Sequence, residues 1–100
     1  MNDITAQELK QRMANGESIH IIDVREPYEY EEYNIGAMLI PLGDLQSKID
    51  DLEDWMNEEI VIHCRSGARS AAAKAFLVKN GFNNVRSLLG GILAIQTSEA

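Results

Sequence analysis

A chain of 100 residues with 45% apolar content holds enough material for one compact domain, so one domain spanning residues 1–100 is expected. The formal net charge of -7 argues against the extended basic face that nucleic acid or an anionic membrane surface requires, and neither is expected as a partner. No apolar run approaches the ~20 residues of a membrane span, and the start Met1-Asn2-Asp3-Ile4-Thr5 lacks the basic-then-apolar pattern of a secretory signal.

Cys64 is the only cysteine, so no internal disulfide can form. That fits a reducing, cytoplasmic location and makes the thiol either a buried hydrophobe or a reagent. Two histidines and one cysteine give no ligand set for zinc, and no phosphate-binding loop of the glycine-lysine type is present.

In chain order, Thr5-Ala6-Gln7-Glu8 has the form of a capping box, and Leu9 and Met13 follow four apart, which predicts a helix over about 5–14 stopped by Gly16. Ile4 is placed in a short leading strand. Ile19-His20-Ile21-Ile22-Asp23-Val24 reads as a strand buried on both faces, and Pro27 suits the first turn of a helix to about Tyr33. Met38-Leu39-Ile40 is a further short strand, closed by Pro41 and Gly43. Leu45, Ile49, Leu52 and Trp55 lay one apolar stripe along a predicted helix from Asp44 to Trp55, with Trp55 in the core. Strand Ile60 to His63 leads into Cys64-Arg65-Ser66-Gly67-Ala68-Arg69-Ser70, and a helix over about 69–80 ends at Asn80-Gly81. Val85 to Leu89 is the last strand, before Gly90-Gly91 and a short helical tail.

Strands alternating with helices predict an α/β layer structure with a mostly parallel sheet, because parallel neighbours need crossover connections. Ligands then bind beyond the carboxyl ends of the strands, where Asp23 to Arg25 and Cys64 to Arg69 both fall. A thiol attacks only as thiolate, and its acidity rises beside a helix N-terminus and cationic side chains. Ser66, Gly67 and Ala68 are small enough for the backbone to curl round an anion. Arg69, a cation in a first helical turn, works against the macrodipole, a conflict that a bound anion would relieve. His63, one residue before Cys64 on a strand, points to the opposite face and reads as structural. His20 has no evident partner. The acidic runs 29–33 and 50–54 read as solvated helix faces, with partner docking as the alternative.

The loop Cys64-Arg65-Ser66-Gly67-Ala68-Arg69 resembles the six-residue active-site loop of single-domain rhodanese-like sulfurtransferases. Asp23-Val24-Arg25-Glu26-Pro27 with Glu29-Tyr30 resembles that family's second signature, and Ile35-Gly36-Ala37, Ile40-Pro41-Leu42 and Gly90-Gly91-Ile92 follow in its order. The resemblance covers roughly residues 4–94. It implies a five-stranded parallel sheet flanked by helices, with Cys64 as the catalytic residue that takes a sulfane sulfur as a persulfide. It implies substrate binding by Arg65, Ser66, Gly67, Ala68, Arg69 and Ser70, a supporting role for Asp23 and Arg25, and no cofactor or metal. The implied donor is a small anionic sulfur compound, such as thiosulfate or a low-molecular-weight persulfide. The implied acceptor is an external thiol, cyanide or a protein, and a monomer is expected. The chain departs from the pattern at Asn34, where a histidine is usual, and at Ile95, where a tryptophan is common.

Two other readings stay open. One is a persulfide carrier or interaction module, since no second cysteine can discharge a persulfide within the chain. The other is a cysteine phosphatase or arsenate reductase, whose loop has five residues between cysteine and arginine. Here four separate Cys64 from Arg69, a smaller cradle better suited to one sulfur atom than to a tetrahedral oxyanion.

Overall fold

Ile60, Val61 and Ile62 are wholly buried and form the middle of strand β3, Glu59–His63. In the computed structural model, which describes residues 3–98, β3 pairs in parallel with β1 (His20–Asp23) on one side and β4 (Asn84–Ser87) on the other. A two-residue strand β2 (Met38–Leu39) extends the sheet past β1, giving the order β2-β1-β3-β4. The helices are α1 (Ala6–Ala14), α2 (Pro27–Glu32), α3 (Ala68–Lys79) and α4 (Gly91–Ser98). Among the described residues no helix is long and apolar enough to cross a membrane.

Alternation along β3 sorts the core into two layers. Ile60 and Ile62 join Ile22, Val24, Leu52, Ala73 and Leu77 on the side covered by α3, and Cys64 belongs to that layer. Val61 faces the other way, with Ile4, Leu9, Leu88 and Ile95 beneath α1 and α4. Ile95, at the position where tryptophan is common in the resembled family, is thus an ordinary core side chain here.

The sheet has four strands rather than the expected five. The fifth is reduced to one bridge, in which the Ile4 N–H donates to Ser87 O at 3.1 Å and the Leu89 N–H donates to Ile4 O at 2.9 Å. The reason is local. Thr5 already caps α1, its hydroxyl accepting the Glu8 N–H at 3.1 Å, so the chain turns helical one residue after the bridge. The reciprocal half of the expected capping box is not made, because the Glu8 carboxylate instead takes two hydrogen bonds from Arg86 at 2.7 and 3.0 Å.

The predicted helix from Asp44 to Trp55 is also corrected. Two 3-10 segments, Leu42–Asp44 and Gln46–Trp55, stand in its place. Ile49, Leu52 and Trp55 recur every third residue, the period at which 3-10 side chains line up, so the same stripe still covers the sheet. Trp55 is half-buried, and its exposed side stacks on His20 with ring centroids 3.9 Å apart. That stack, together with a Glu58 carboxylate 2.8 Å from His20 Nε2, supplies the partners that the sequence left unnamed.

Candidate active site

In the order β2-β1-β3-β4 the chain direction across the sheet reverses between β1 and β3, and a crevice opens there at the carboxyl ends of the strands. The segment after β1 brings Arg25 to one side of it, and the segment after β3 brings Cys64 to the other. The two motifs, 40 residues apart in sequence, are joined across it by Arg69 and Glu29: the guanidinium donates to both carboxylate oxygens at 2.7 and 2.9 Å.

Cys64 lies at the floor of the loop and is 1% exposed. Gly67, with φ of 119°, turns the chain so that α3 starts directly over the sulfur. The Gly67 and Ser70 N–H groups donate to Cys64 Sγ at 3.1 and 3.3 Å. The thiol in turn donates to Ser70 Oγ at 3.6 Å, and the Ser87 hydroxyl lies 2.7 Å beyond. Burial pushes the Cys64 thiol up, but the Ser70 hydroxyl, which turns its proton to the sulfur once the thiol has ionised, and the Ser70, Gly67 and Ser66 backbone N–H groups together outweigh it and leave the thiol below its ordinary range. Arg65, Ser66 and Ala68 are exposed at the rim.

Glycine at 91 keeps this loop in place. The Ile92 and Leu93 N–H groups at the start of α4 donate to Cys64 O at 2.8 Å and Arg65 O at 3.1 Å. A Cβ at position 91, where φ is +60°, would sit 2.7 Å from Cys64 O and closer still to Arg65 O. Gly91→Ala is therefore expected to cost about 1–3 kcal/mol or more in stability, from the left-handed backbone alone, and to displace the loop. Chemical denaturation and the rate of Cys64 alkylation would report the two effects.

Behind the loop, Asp23 is completely buried and Arg25 is 4% exposed. Asp23 accepts the Arg25 backbone N–H at 3.0 Å, Nε at 3.0 and 3.1 Å and an Nη at 2.8 Å, while the same Nη donates to Tyr33 O at 2.7 Å. His63 lies on this face with Nε2 3.6 Å from Asp23, away from Cys64, as strand alternation requires. Burial holds its imidazole below the ordinary histidine range despite the Asp23 charge. Asn34, in place of the usual histidine, closes a local turn by accepting the Gly36 N–H at 2.9 Å.

Sequence reasoning missed Glu29, which it placed on a solvated face. Its side chain is 11% exposed, and it also accepts the Glu26 N–H at 2.9 Å, fixing the start of α2. The Arg69 guanidinium, the larger effect, and the Glu26 N–H hold the Glu29 carboxyl down at about 2 against the cost of its burial. Two signals pointed to it: its place in the second motif and the unexplained cation at Arg69. Among the described residues no group of three or more His, Cys, Asp or Glu side chains is gathered that could hold a metal ion.

The family description "Rhodanese-like domain" matches residues 5–98. A sulfurtransferase of Allochromatium vinosum is 35% identical over 95 residues, covering 94% of this chain and 87% of that protein. A candidate sulfur carrier protein of Bacillus subtilis is 38% identical over 91 residues, and there the match covers 90% of this chain but only 48% of the relative's length. Among solved structures, a rhodanese-related protein from Thermoplasma volcanium superposes with a TM-score of 0.84 at 30% identity, covering 98% of this chain and 93% of that one.

Proposed function

The chain belongs to the rhodanese-like domain family, and from that premise we propose that it is a sulfurtransferase in which Cys64 carries a sulfane sulfur as a persulfide. The observation that carries the reading is the pair of N–H groups, from Gly67 and Ser70, aimed at Cys64 Sγ at the start of α3. They stabilise negative charge on the sulfur at no cost of reorganisation, which is what a thiolate nucleophile and a thiolate leaving group both need.

The step balances as follows. The Cys64 thiolate attacks the sulfane sulfur of thiosulfate or of a low-molecular-weight persulfide, a new S–S bond forms, and the donor's own S–S bond breaks. Sulfite or the carrier thiolate leaves with the electron pair. An external thiol, cyanide or protein acceptor then attacks the outer sulfur and returns Cys64 as thiolate. Arg65 through Ser70 supply the rim and wall of this site, and Asp23 and Arg25 hold the neighbouring segment.

A persulfide carrier without turnover of its own is the second reading, favoured by the lone cysteine and by the candidate carrier among the relatives. Intact-mass measurement after treatment with thiosulfate or glutathione persulfide tests the shared step. Wild type is expected to gain the mass of one sulfur and Cys64→Ala none, and a wild type that gains nothing from any sulfane donor would sink the proposal. Catalytic release of product from excess donor and acceptor, against a single stoichiometric transfer, separates enzyme from carrier. An aryl phosphate serves as the negative control.

A further inference from the structure

The cations around the loop are largely matched by carboxylates. Arg25 is bound by Asp23, and Arg69 is bound through both nitrogens by Glu29. The pair of Arg69 and Glu29 lies at the mouth, where the arginine side chain is 34% exposed. Beside it a cavity of about 200 Å³ is lined by Arg65, Glu32, Tyr33, Leu93 and Gln96, with Arg25 and Glu29 in its wall. Arg65 and Glu32 form no ion pair with any described residue, so the cavity offers one unmatched charge of each sign. A mouth of zero net charge in a chain of net charge -7 gives no attraction to a dianion.

We infer that Glu29 is a specificity-determining residue: by neutralising Arg69 it selects against the dianion thiosulfate and in favour of hydropersulfides whose carrier group bears both an ammonium and a carboxylate. The inference rests on the sulfurtransferase reading and deepens it. Charge bookkeeping at the reacting centre gives the physical reason. Thiosulfate beside the Cys64 thiolate gathers three negative charges, whereas a hydropersulfide gathers one in its reacting, protonated form RS–SH and two as its anion. With the hydropersulfide, Cys64 sulfur bonds to the outer sulfur, the RS–SH bond breaks, and RS⁻ leaves with the electron pair while the proton stays on the transferred sulfur. The carrier's carboxylate and ammonium are complementary to Arg65 and Glu32 in the adjoining cavity.

The test compares kcat/KM for thiosulfate and for cysteine hydropersulfide in wild type and in Glu29→Gln. Glutamine keeps an oxygen that can accept from Arg69 and from the Glu26 N–H but removes the charge, leaving the guanidinium unbalanced. The ratio of kcat/KM for thiosulfate to that for the hydropersulfide is expected to rise at least about tenfold in the variant, as expected for a dianion near one uncompensated cation. Should the variant fail to fold, wild type still decides: its kcat/KM for thiosulfate is expected to be flat or rising with ionic strength, and a steep fall would show an attracting mouth and overturn the inference. A ratio unmoved in folded Glu29→Gln, with both donors loading Cys64, would remove the role of Glu29 alone. Failure of both donors to load wild-type Cys64 would remove the underlying reading and the inference together.

Discussion

Asp23→Ala is expected to lower the unfolding free energy by about 3–5 kcal/mol, one of the largest stability losses open to a single substitution in this chain. The carboxylate is fully buried and Arg25 is 4% exposed, so the guanidinium left behind has almost no water to turn to. It would keep the Tyr33 carbonyl at 2.7 Å, a neutral partner, and lose both oxygens of Asp23. Domains of this kind have about 5–15 kcal/mol in total, so the loss takes a large share of it. The pair as a whole stabilises far less than the single substitution costs, because burying both charges was itself expensive. Asp23→Leu combined with Arg25→Met is accordingly expected to be much less destabilising than Asp23→Ala. Urea midpoints for the three proteins check this, and a loss under about 1 kcal/mol for Asp23→Ala would mean that Arg25 reaches solvent when its partner is gone. The segment from Arg25 to Tyr33 carries Glu29, so the same substitution is expected to loosen the hold on Arg69.

What the sequence disclosed and what it hid follow from the range of the interactions. The strands were legible because Ile21-Ile22 and Ile60-Val61-Ile62 are β-branched runs, all buried except the partly covered Ile21, and burial leaves a mark on composition. The Cys64 loop was legible because small residues, a glycine and a helix start lie side by side in sequence. The 3-10 run was misread because spacings of four, three and three satisfy an α-helix as well; only the strict repeat at Ile49, Leu52 and Trp55 leaned the other way. The missing fifth strand turned on a competition at Ile4 between one bridge and the cap of α1, which no composition signal resolves. Glu29 was hidden for a different reason. Its partner Arg69 lies 40 residues on, and nothing in a run of five acidic and aromatic residues marks the one that turns inward. The helix-dipole conflict at Arg69 did report that a counter-charge was needed, and a carboxylate of the chain itself meets that need.

Cys64→Ser is expected to reduce sulfur transfer on the order of 10³-fold or more while leaving the fold intact, since serine fills the same buried space and can meet the same N–H groups. Its hydroxyl stays protonated where the thiol ionises, so the site is expected to keep its shape and lose the proposed nucleophile. The pH dependence of wild type gives the complementary evidence. Because hydrogen bonds hold the Cys64 thiol below its ordinary range in spite of burial, the thiolate persists to lower pH than in a free cysteine, and activity is expected to fall only as pH drops through that depressed value. The sign for stability is the same: the stabilisation of the thiolate is complete above the unfolded-state value and is lost as pH falls through the folded one. Ser70→Ala removes the hydroxyl 3.6 Å from Sγ, and with it the link to Ser87, but keeps both backbone donors. The acid limb of kcat/KM should therefore move upward towards that of an ordinary thiol without vanishing. Thiolate absorbance titration of wild type and Ser70→Ala reads the shift directly. An unshifted limb would assign the depressed acidity to the Gly67, Ser70 and Ser66 backbone alone, leaving the helix start as the only source of the reactive sulfur.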